Sequence, residues 1–227
     1  MKRLLVILTA IMLIAISRTL VFAAETKEPN ETAPAKNADV RIVHASPDAP
    51  AVDIFLDTKP VVEGVKFKDA TDFLQVPAGS HQVEVYAAGT KGTKEPVVKA
   101  TLVVEGGKSY TIAAINKVNM LELKAISNNT VGTPDKANVR VAHFSPDAPA
   151  VNVGPKGASP LFTNLEFKTV SDYQALAPGA YDLSVTTADG KEILGLPGTK
   201  VESGKNYTVL AVNTASQLET IILEDTK

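Results

Sequence analysis

The sequence contains no cysteine among its 227 residues. This absence excludes disulfide bonds, thiolate metal sites, cysteine nucleophiles and a lipid-modified cysteine behind a leader peptide. The protein must therefore be held together by its apolar core, even in an oxidising compartment outside the cell.

A concentrated positive charge is also missing. Lys and Arg total 23 against 25 Asp and Glu, and loss of the leader described next would remove Lys2, Arg3 and Arg18 as well. Because a phosphate backbone is bound by a dense basic face, this balance argues against nucleic acid as a partner.

Long apolar runs are confined to the N-terminus, where Leu4–Ile16 precedes the small-residue site Val21-Phe22-Ala23. The run is shorter than the roughly 20 residues that a membrane-spanning helix needs, and Arg18 interrupts its far end. The pattern predicts a signal peptide at 1–23, cleaved after Ala23, with an uncleaved membrane anchor as the alternative. We expect a secreted or cell-surface protein with no membrane span after cleavage.

The rest of the sequence is largely a duplication. D-V-R-I-V-H-A-S-P-D-A-P-A-V-D returns as N-V-R-V-A-H-F-S-P-D-A-P-A-V-N, and two further blocks return in the same order. The three blocks lie at 39–53, 67–79 and 104–116 and recur at 138–152, 167–179 and 201–213. Repetition in a fixed order indicates two copies of one structural unit.

The boundaries follow from the blocks and from the composition between them. We predict a flexible polar tether at 24–37, a first copy at 38–126, a linker at 127–136 and a second copy at 137–227.

Apolar residues within each copy alternate with polar ones, as in Q-V-E-V-Y at 82–86 and T-L-V-V-E at 101–105. Turn signals separate such segments at intervals of about ten residues. Short alternating segments between regular turns are typical of a sandwich of two packed sheets. The sequence predicts an all-β protein of two tandem immunoglobulin-like antiparallel β-sandwich domains.

Three tyrosines follow glycine turns: Tyr110, Tyr181 and Tyr207. This spacing predicts structural anchors whose hydroxyl bonds the backbone of the preceding loop. The alternative is a set of aromatic platforms for a sugar ring.

The repeated motif predicts a stiff bend between two strands. Alternation before it places Arg41, Val43 and Ala45 on one face and His44 on the other. S-P-D-A has the preferences of a type I turn, and its proline ends pairing with a neighbouring strand. The candidate binding or structural residues are His44, Ser46, Asp48, Asp53, His143, Ser145, Asp147 and Asn152.

Two kinds of chemistry compete with a structural role for this bend. A hydrolytic triad of His44, Ser46 and Asp48 is disfavoured, because a single strand and its turn hold all three groups and no G-x-S-x-G elbow exists. We therefore expect no catalytic residue and no cofactor.

A calcium site is the second kind of chemistry. Asp48, Asp53 and Asp57 are weak candidate ligands, since their oxygens suit this ion. The second copy places Asn152 and Lys156 where the first has Asp53 and Asp57, and lysine cannot bind a cation. No EF-hand spacing is present, so we assign no metal.

The doubled H-x-S-P-D-A-P-x-V-[DN], followed by D-[FY]-x-x-[LV]-x-x-G and V-E-x-G-K-x-Y-T, resembles a family of exported bacterial domains of unknown function, number 4397. The resemblance covers nearly all of residues 38–223. It implies a bacterial, extracytoplasmic protein of tandem β domains and no particular reaction. Asn152 departs from the pattern of the first copy.

Duplication, export and the lack of a catalytic constellation favour a non-catalytic binding or adhesion module. Its partner would be a cell-wall polymer, a glycan or a surface protein, and two linked copies could gain avidity. One alternative is a calcium-dependent module or hydrolase centred on His44 to Asp53. Another is an architectural spacer of the cell envelope.

Overall fold

The computed structural model describes residues 36–226. The predicted signal peptide and all but the last two residues of the predicted tether lie outside this range. No helix in the described range is long and apolar enough to cross a membrane.

Each copy contains eight strands. Those of the first copy are β1 Ala38–His44, β2 Val52–Leu56, β3 Lys59–Val65, β4 Leu74–Val76, β5 Gly79–Ala87, β6 Val98–Val104, β7 Ser109–Ile115 and β8 Glu122–Asn128. Those of the second copy are β9 Ala137–His143, β10 Val151–Pro155, β11 Phe162–Leu165, β12 Gln174–Leu176, β13 Gly179–Thr187, β14 Glu192–Val201, β15 Asn206–Val212 and β16 Glu219–Glu224. Short 3-10 helices at Val118–Met120 and Ala215–Gln217 precede β8 and β16.

The strands form two four-stranded sheets in each copy, in the same order both times. The first copy has β4-β1-β7-β8 and β3-β2-β5-β6, and the second has β12-β9-β15-β16 and β11-β10-β13-β14. The prediction of two tandem β-sandwiches is therefore confirmed.

One pair of strands in each copy is parallel, β1 with β7 and β9 with β15, whereas the other pairs are antiparallel. A parallel pair needs a long connection between its strands. Here the connection consists of the five strands β2–β6 in the first copy and β10–β14 in the second. Turn signals in the sequence report only on neighbouring strands, so they could not reveal this pairing.

Each sandwich has an apolar core between its sheets, made by the inward side chains of alternating strands. In the first copy the core includes Ile42, Val52, Ile54, Val83 and Val85. In the second it includes Val141, Val151, Val153, Val185 and Val209.

A further apolar cluster joins the two copies and defines what we call the inter-copy interface. It contains Val43, Ala45, Ala113, Ile115 and Ile126 of the first copy with Ala142, Phe144, Leu210, Val212 and Leu223 of the second. These residues lie on the faces of β1-β7-β8 and β9-β15-β16 that point away from each sandwich core. The described residues of both copies therefore belong to one compact unit.

The segment between the copies is bonded to the second copy. β8 runs to Asn128, so the strand enters the segment predicted as a linker, and β9 begins at Ala137. Buried Asn206 donates from its Nδ2 to the carbonyls of Asn129, at 2.8 Å, and Val131, at 2.9 Å. These bonds fix the connection to the start of β15.

The three tyrosines are backbone anchors, as predicted. The hydroxyls of Tyr110 and Tyr207 each accept a hydrogen bond at 3.3 Å, from the amides of Glu105 and Glu202. The hydroxyl of Tyr181 donates to the carbonyl of Ala177 at 2.7 Å.

Candidate functional site

The first bend closes on the histidine that ends β1. Only 1% of His44 is exposed, and its Nε2 lies 3.1 Å from the carbonyl of Pro50. Because a carbonyl can only accept, Nε2 carries the proton of this bond. The ring also meets Phe67 edge-to-face, with 6.4 Å between centroids. His44 thus ties the end of the strand to the far side of its own turn.

The second bend repeats this arrangement. Nε2 of His143 donates to the carbonyl of Pro149 at 3.1 Å, and Nδ1 accepts from the amide of Ser145 at 3.3 Å. With one ring nitrogen donating and the other accepting, the imidazole is neutral. Burial lowers the pKa of His143 below its ordinary value.

The structure does not assemble the serine and acid of a hydrolytic triad. Ser46 and Ser145 are fully buried, and their hydroxyls have no hydrogen-bond partner among the described residues, nor has Nδ1 of His44. Oδ1 of Asp48 accepts from the amide of Val118 at 2.7 Å instead of meeting the imidazole.

The two exposed aspartates of the bends hold the short helices. Asp48 bonds the first residue of Val118–Met120, and Asp147 accepts from the amide of Ala215 at 2.8 Å. A carboxylate is well placed to bond the unsatisfied amides that begin a helical turn. Each bend is thereby joined to the loop after the central strand of its own sheet.

Asp53 and its counterpart Asn152 fasten neighbouring loops. Asp53 is buried and accepts from the amides of Gly64, at 2.8 Å, and Gly89, at 2.7 Å. Oδ1 of Asn152 accepts from the amide of Asn164 at 2.8 Å. Asn152 can therefore replace one of the two bonds that Asp53 makes.

Asp57 lies apart from the other two candidate calcium ligands. Its carboxylate is 2.6 Å from Nδ1 of His81 and 2.8 Å from the amide of Gln82. The hydrogen bond between the Asp57 carboxylate and the His81 ring lowers the pKa of Asp57 and raises the pKa of His81. Residues 36–226 contain no group of three or more His, Cys, Asp or Glu side chains that could hold a metal ion.

A buried ionic network, which the sequence patterns did not predict, crosses the inter-copy interface. Arg41 donates from Nη1 to the carbonyl of Glu224 at 2.7 Å and from Nη2 to the carboxylate of Asp225. Arg140 donates in the reciprocal direction, to the carbonyl of Ser127 and to Oδ1 of Asn128, both at 2.8 Å. Each arginine thus binds the end of the last strand of the other copy.

Asp225 is the centre of this network. It is fully buried, lies 3.7 Å from Arg140 and accepts from the hydroxyls of Tyr173, at 2.7 Å, and Thr208, at 2.5 Å. Burial, followed by the charge of Asp225, raises the pKa of Tyr173 to about 12. Burial lowers the pKa of Arg41, against the opposing effect of Asp225.

The sequence did carry one signal of this network. An arginine occupies the same position in both copies, on the strand face that also carries Val43 and Ala45. Charged side chains on an apolar face indicate a buried pair, but the partner near the C-terminus could not be read from the pattern.

The loop after β7 of the first copy reaches the second bend, where Nζ of Lys117 lies 3.6 Å from the carboxylate of Asp147. Val118 and Met120, on the helix bonded to Asp48, are 38% and 59% exposed. We call these five residues the exposed patch, since both copies contribute to it.

Both copies match the sequence model of one protein family. The sequence model of a family described as Domain of unknown function (DUF4397) matches residues 38–154 and 156–227. No curated protein matches the chain.

Two solved structures are similar to the chain. One is a candidate cell adhesion protein from Bacteroides ovatus ATCC 8483, at 10% identity, covering 85% of this chain and 98% of that chain with a TM-score of 0.25. The other is a candidate cell adhesion protein from Bacteroides fragilis NCTC 9343, at 9% identity, covering 83% and 97% with a TM-score of 0.19.

Proposed function

We propose that this chain, which belongs to the DUF4397 family, is an extracellular, non-catalytic binding module. Its partner is a surface protein. One observation carries the proposal. The histidine and serine of each bend are buried inside the fold, whereas Asp48 and Asp147 are exposed and belong to the exposed patch.

Catalysis has no support in the geometry. The imidazoles of His44 and His143 each bond a carbonyl of their own turn, and both are sealed from solvent. A general base must reach a nucleophile or a substrate proton. Neither ring can do so without opening the bend that it closes.

Binding is supported by the composition of the exposed patch. Val118 and Met120 present apolar surface, and Asp48 and the Lys117–Asp147 pair surround it with charge. Methionine is enriched at protein interfaces, and a polar rim around apolar side chains is their usual arrangement. The patch therefore suits a protein partner.

A glycan fits less well. Sugar rings commonly stack on exposed aromatic side chains, whose faces are apolar. Each aromatic side chain of residues 36–226 is buried or partly buried, and the three anchor tyrosines use their hydroxyls to hold loops. For this reason we place a surface protein ahead of a wall polymer or glycan.

The test is retention of envelope components on the immobilised chain 24–227. We expect protein from an envelope extract to be retained, and we expect loss of retention when the extract is treated with protease. Met120→Lys should weaken retention at least tenfold, since a charge placed in the centre of an interface costs about 1.4 kcal/mol or more.

Ile222→Lys is the matched control, because Ile222 is 46% exposed on β16 and lies outside the exposed patch. Retention that survives protease treatment, or equal losses for both variants, would reject the proposal. Melting the chain with calcium and then with chelator tests the calcium alternative. A ligand that binds only the native state must raise Tm. We expect calcium to leave Tm unchanged.

A further inference from the structure

The free edges of the sheets differ in how well they are protected against pairing with another strand. An edge strand exposes unpaired N–H and C=O groups, and proteins block such edges with proline, bulges, short strands, charged side chains or contacts to other elements. One long edge strand in residues 36–226, β6, has a single device of this kind, Lys99, whose charge is paired with Glu84 at 3.2 Å.

The other edges are blocked in different ways. β4, β11 and β12 have three or four residues each. β3 contains Pro60, and its register with β2 shifts twice. β14 contains Pro197, and its register with β13 also shifts twice. The outer carbonyls of β8 and β16, at Ser127 and Glu224, accept from arginines of the opposite copy.

β6 is regular by comparison. Its seven residues pair with β5 from Val98 to Val104 without a register shift, and they include no proline or glycine. Thr101 and Val103 are exposed, Val103 by 65%. Beneath the strand, an apolar cleft lies between β6 and β8, lined in part by Ala100, Leu102, Leu123 and Ala125.

The hydrogen bonds of β5 show which groups of β6 are unpaired. Gln82 faces Thr101 across the pair, but its amide and carbonyl both bond Asp57 on the β2 side. Antiparallel pairs alternate between bonded and non-bonded positions. The N–H and C=O of Lys99, Thr101 and Val103 therefore point away from β5, toward the free edge.

We propose that β6 pairs with β6 of a second copy of this chain, antiparallel and centred on Thr101, to form a closed dimer. In this register Thr101 meets Thr101 of the partner subunit, and Lys99 meets Val103 of the partner subunit. Every outward N–H and C=O of the three residues then finds a partner. Threonine pairs across strands are favourable, and the aliphatic stem of lysine can cover an exposed valine.

The registers centred on the other two outward-facing residues are worse. Centring on Lys99 would place two lysines opposite each other, which is destabilising. Centring on Val103 would run past the end of the strand at Val104. Self-pairing about Thr101 uses the full strand and separates the positive charges. Small Ala100 then lies opposite large Leu102 of the partner subunit, above the apolar cleft.

The number of open edges determines the assembly. Because the second copy's equivalent edge, β14, is blocked, the described part of each chain offers a single open edge. A surface that pairs with itself about a two-fold axis closes after two chains and cannot extend into a fibre. This inference is independent of the partner proposed for the exposed patch.

A cysteine series tests the register, since the natural sequence has no cysteine to interfere. We expect Thr101→Cys in chain 24–227 to form a disulfide dimer under mild oxidant, because bonded cross-strand pairs have Cα atoms about 5.5 Å apart. It should form about tenfold faster than with Lys200→Cys, an exposed position on β14, since pairing raises the effective concentration. Lys99→Cys and Val103→Cys should cross-link when mixed and not separately.

A proline variant tests the same pairing without oxidation. Thr101→Pro removes an outward N–H that β5 does not use, so the fold should remain while sedimentation shows monomer. Thr101→Val keeps that N–H and should remain dimeric. A monomeric natural chain at all concentrations, equal cross-linking at positions 101 and 200, or self-cross-linking of Lys99→Cys would overturn the proposal.

Discussion

The two copies agree in their bends and differ where they contact each other. His44, Ser46 and Asp48 have identical counterparts in His143, Ser145 and Asp147. Each set makes its hydrogen bonds within its own copy, and Asp147 also pairs with Lys117 of the first copy. At the inter-copy interface the apolar residues differ, although Arg41 and Arg140 are the same in both copies. The two bends thus share their histidine, serine and aspartate, whereas the two halves of the apolar contact are complementary.

Size and charge both show this complementarity. Ala45 and Ala113 of the first copy correspond to the larger Phe144 and Leu210 of the second. Val43 and Ile115 of the first copy correspond to the smaller Ala142 and Val212, so each half of the cluster is large where the other is small. A single carboxylate, Asp225, serves two arginines. An interface with unlike halves favours pairing of the two copies within one chain over pairing of like copies.

Among the substitutions that test this comparison, removing Asp225 should lower the free energy of unfolding most. Asp225→Ala leaves Arg41 and Arg140 buried without a compensating charge. Breaking a buried ion pair in this way costs about 3–5 kcal/mol of the free energy of unfolding. Urea denaturation of the chain 24–227 measures the loss.

The control for this prediction is Asp225→Asn, which gives the second copy the amide that the first copy has at Asn128. We expect a smaller loss, because the amide oxygen can still accept from Arg41. A loss for Asp225→Ala within about 0.5 kcal/mol, the range of ordinary surface substitutions, would contradict a central role for the carboxylate.

Replacing the histidine of either bend should have an intermediate effect that is similar in the two copies. His44→Ala or His143→Ala removes a hydrogen bond to a proline carbonyl together with the packing of a fully buried ring, which costs about 1–3 kcal/mol. Urea denaturation measures both losses. Glutamine at either position, which can still donate, should restore part of the loss, and unchanged stability together with weaker partner retention would instead indicate a binding role.

Much of the fold could be predicted from the sequence because its determinants are local. Period-two alternation and regular turns indicate strands and a sandwich. The repeat indicates two copies, and the placement of Tyr181 after a glycine turn indicates its bond to Ala177. Each of these signals is contained within about ten residues.

The candidate site could be predicted only in part, because its decisive contacts are distant in sequence. Alternation correctly separated Arg41 and Val43 from His44, yet it could not show that the first face is covered by the other copy. Arg41 and Asp225 lie 184 residues apart. The same limit applies to the Lys117–Asp147 pair, which exists only because the two copies pack together.

Removing a tyrosine hydroxyl should have a smaller effect again, and it should be equal in the two copies. Tyr110→Phe and Tyr207→Phe each delete one acceptor for the amide of an exposed loop residue, so we expect losses of about 0.5–1.5 kcal/mol. Thermal melting compares the two variants. A large difference between their Tm values would show that the hydrogen bonds to the loops before β7 and β15 stabilise the fold to different extents.

The smallest expected effect is the dependence of folding stability on pH through His143 and His81. The two contributions should have opposite signs. Burial places the pKa of His143 below its unfolded value of about 6.5, so the neutral ring stabilises the fold fully above that pH and loses the effect as pH falls toward its folded pKa. The bond with Asp57 raises the pKa of His81, so its contribution is complete below about 6.5 and is lost as pH rises through its folded pKa. Urea denaturation at pH 8 and pH 5 should therefore show that His143→Gln reduces the acid destabilisation and His81→Gln increases it. The same sign for both variants would mean that one of the two rings has a different protonation state in the fold.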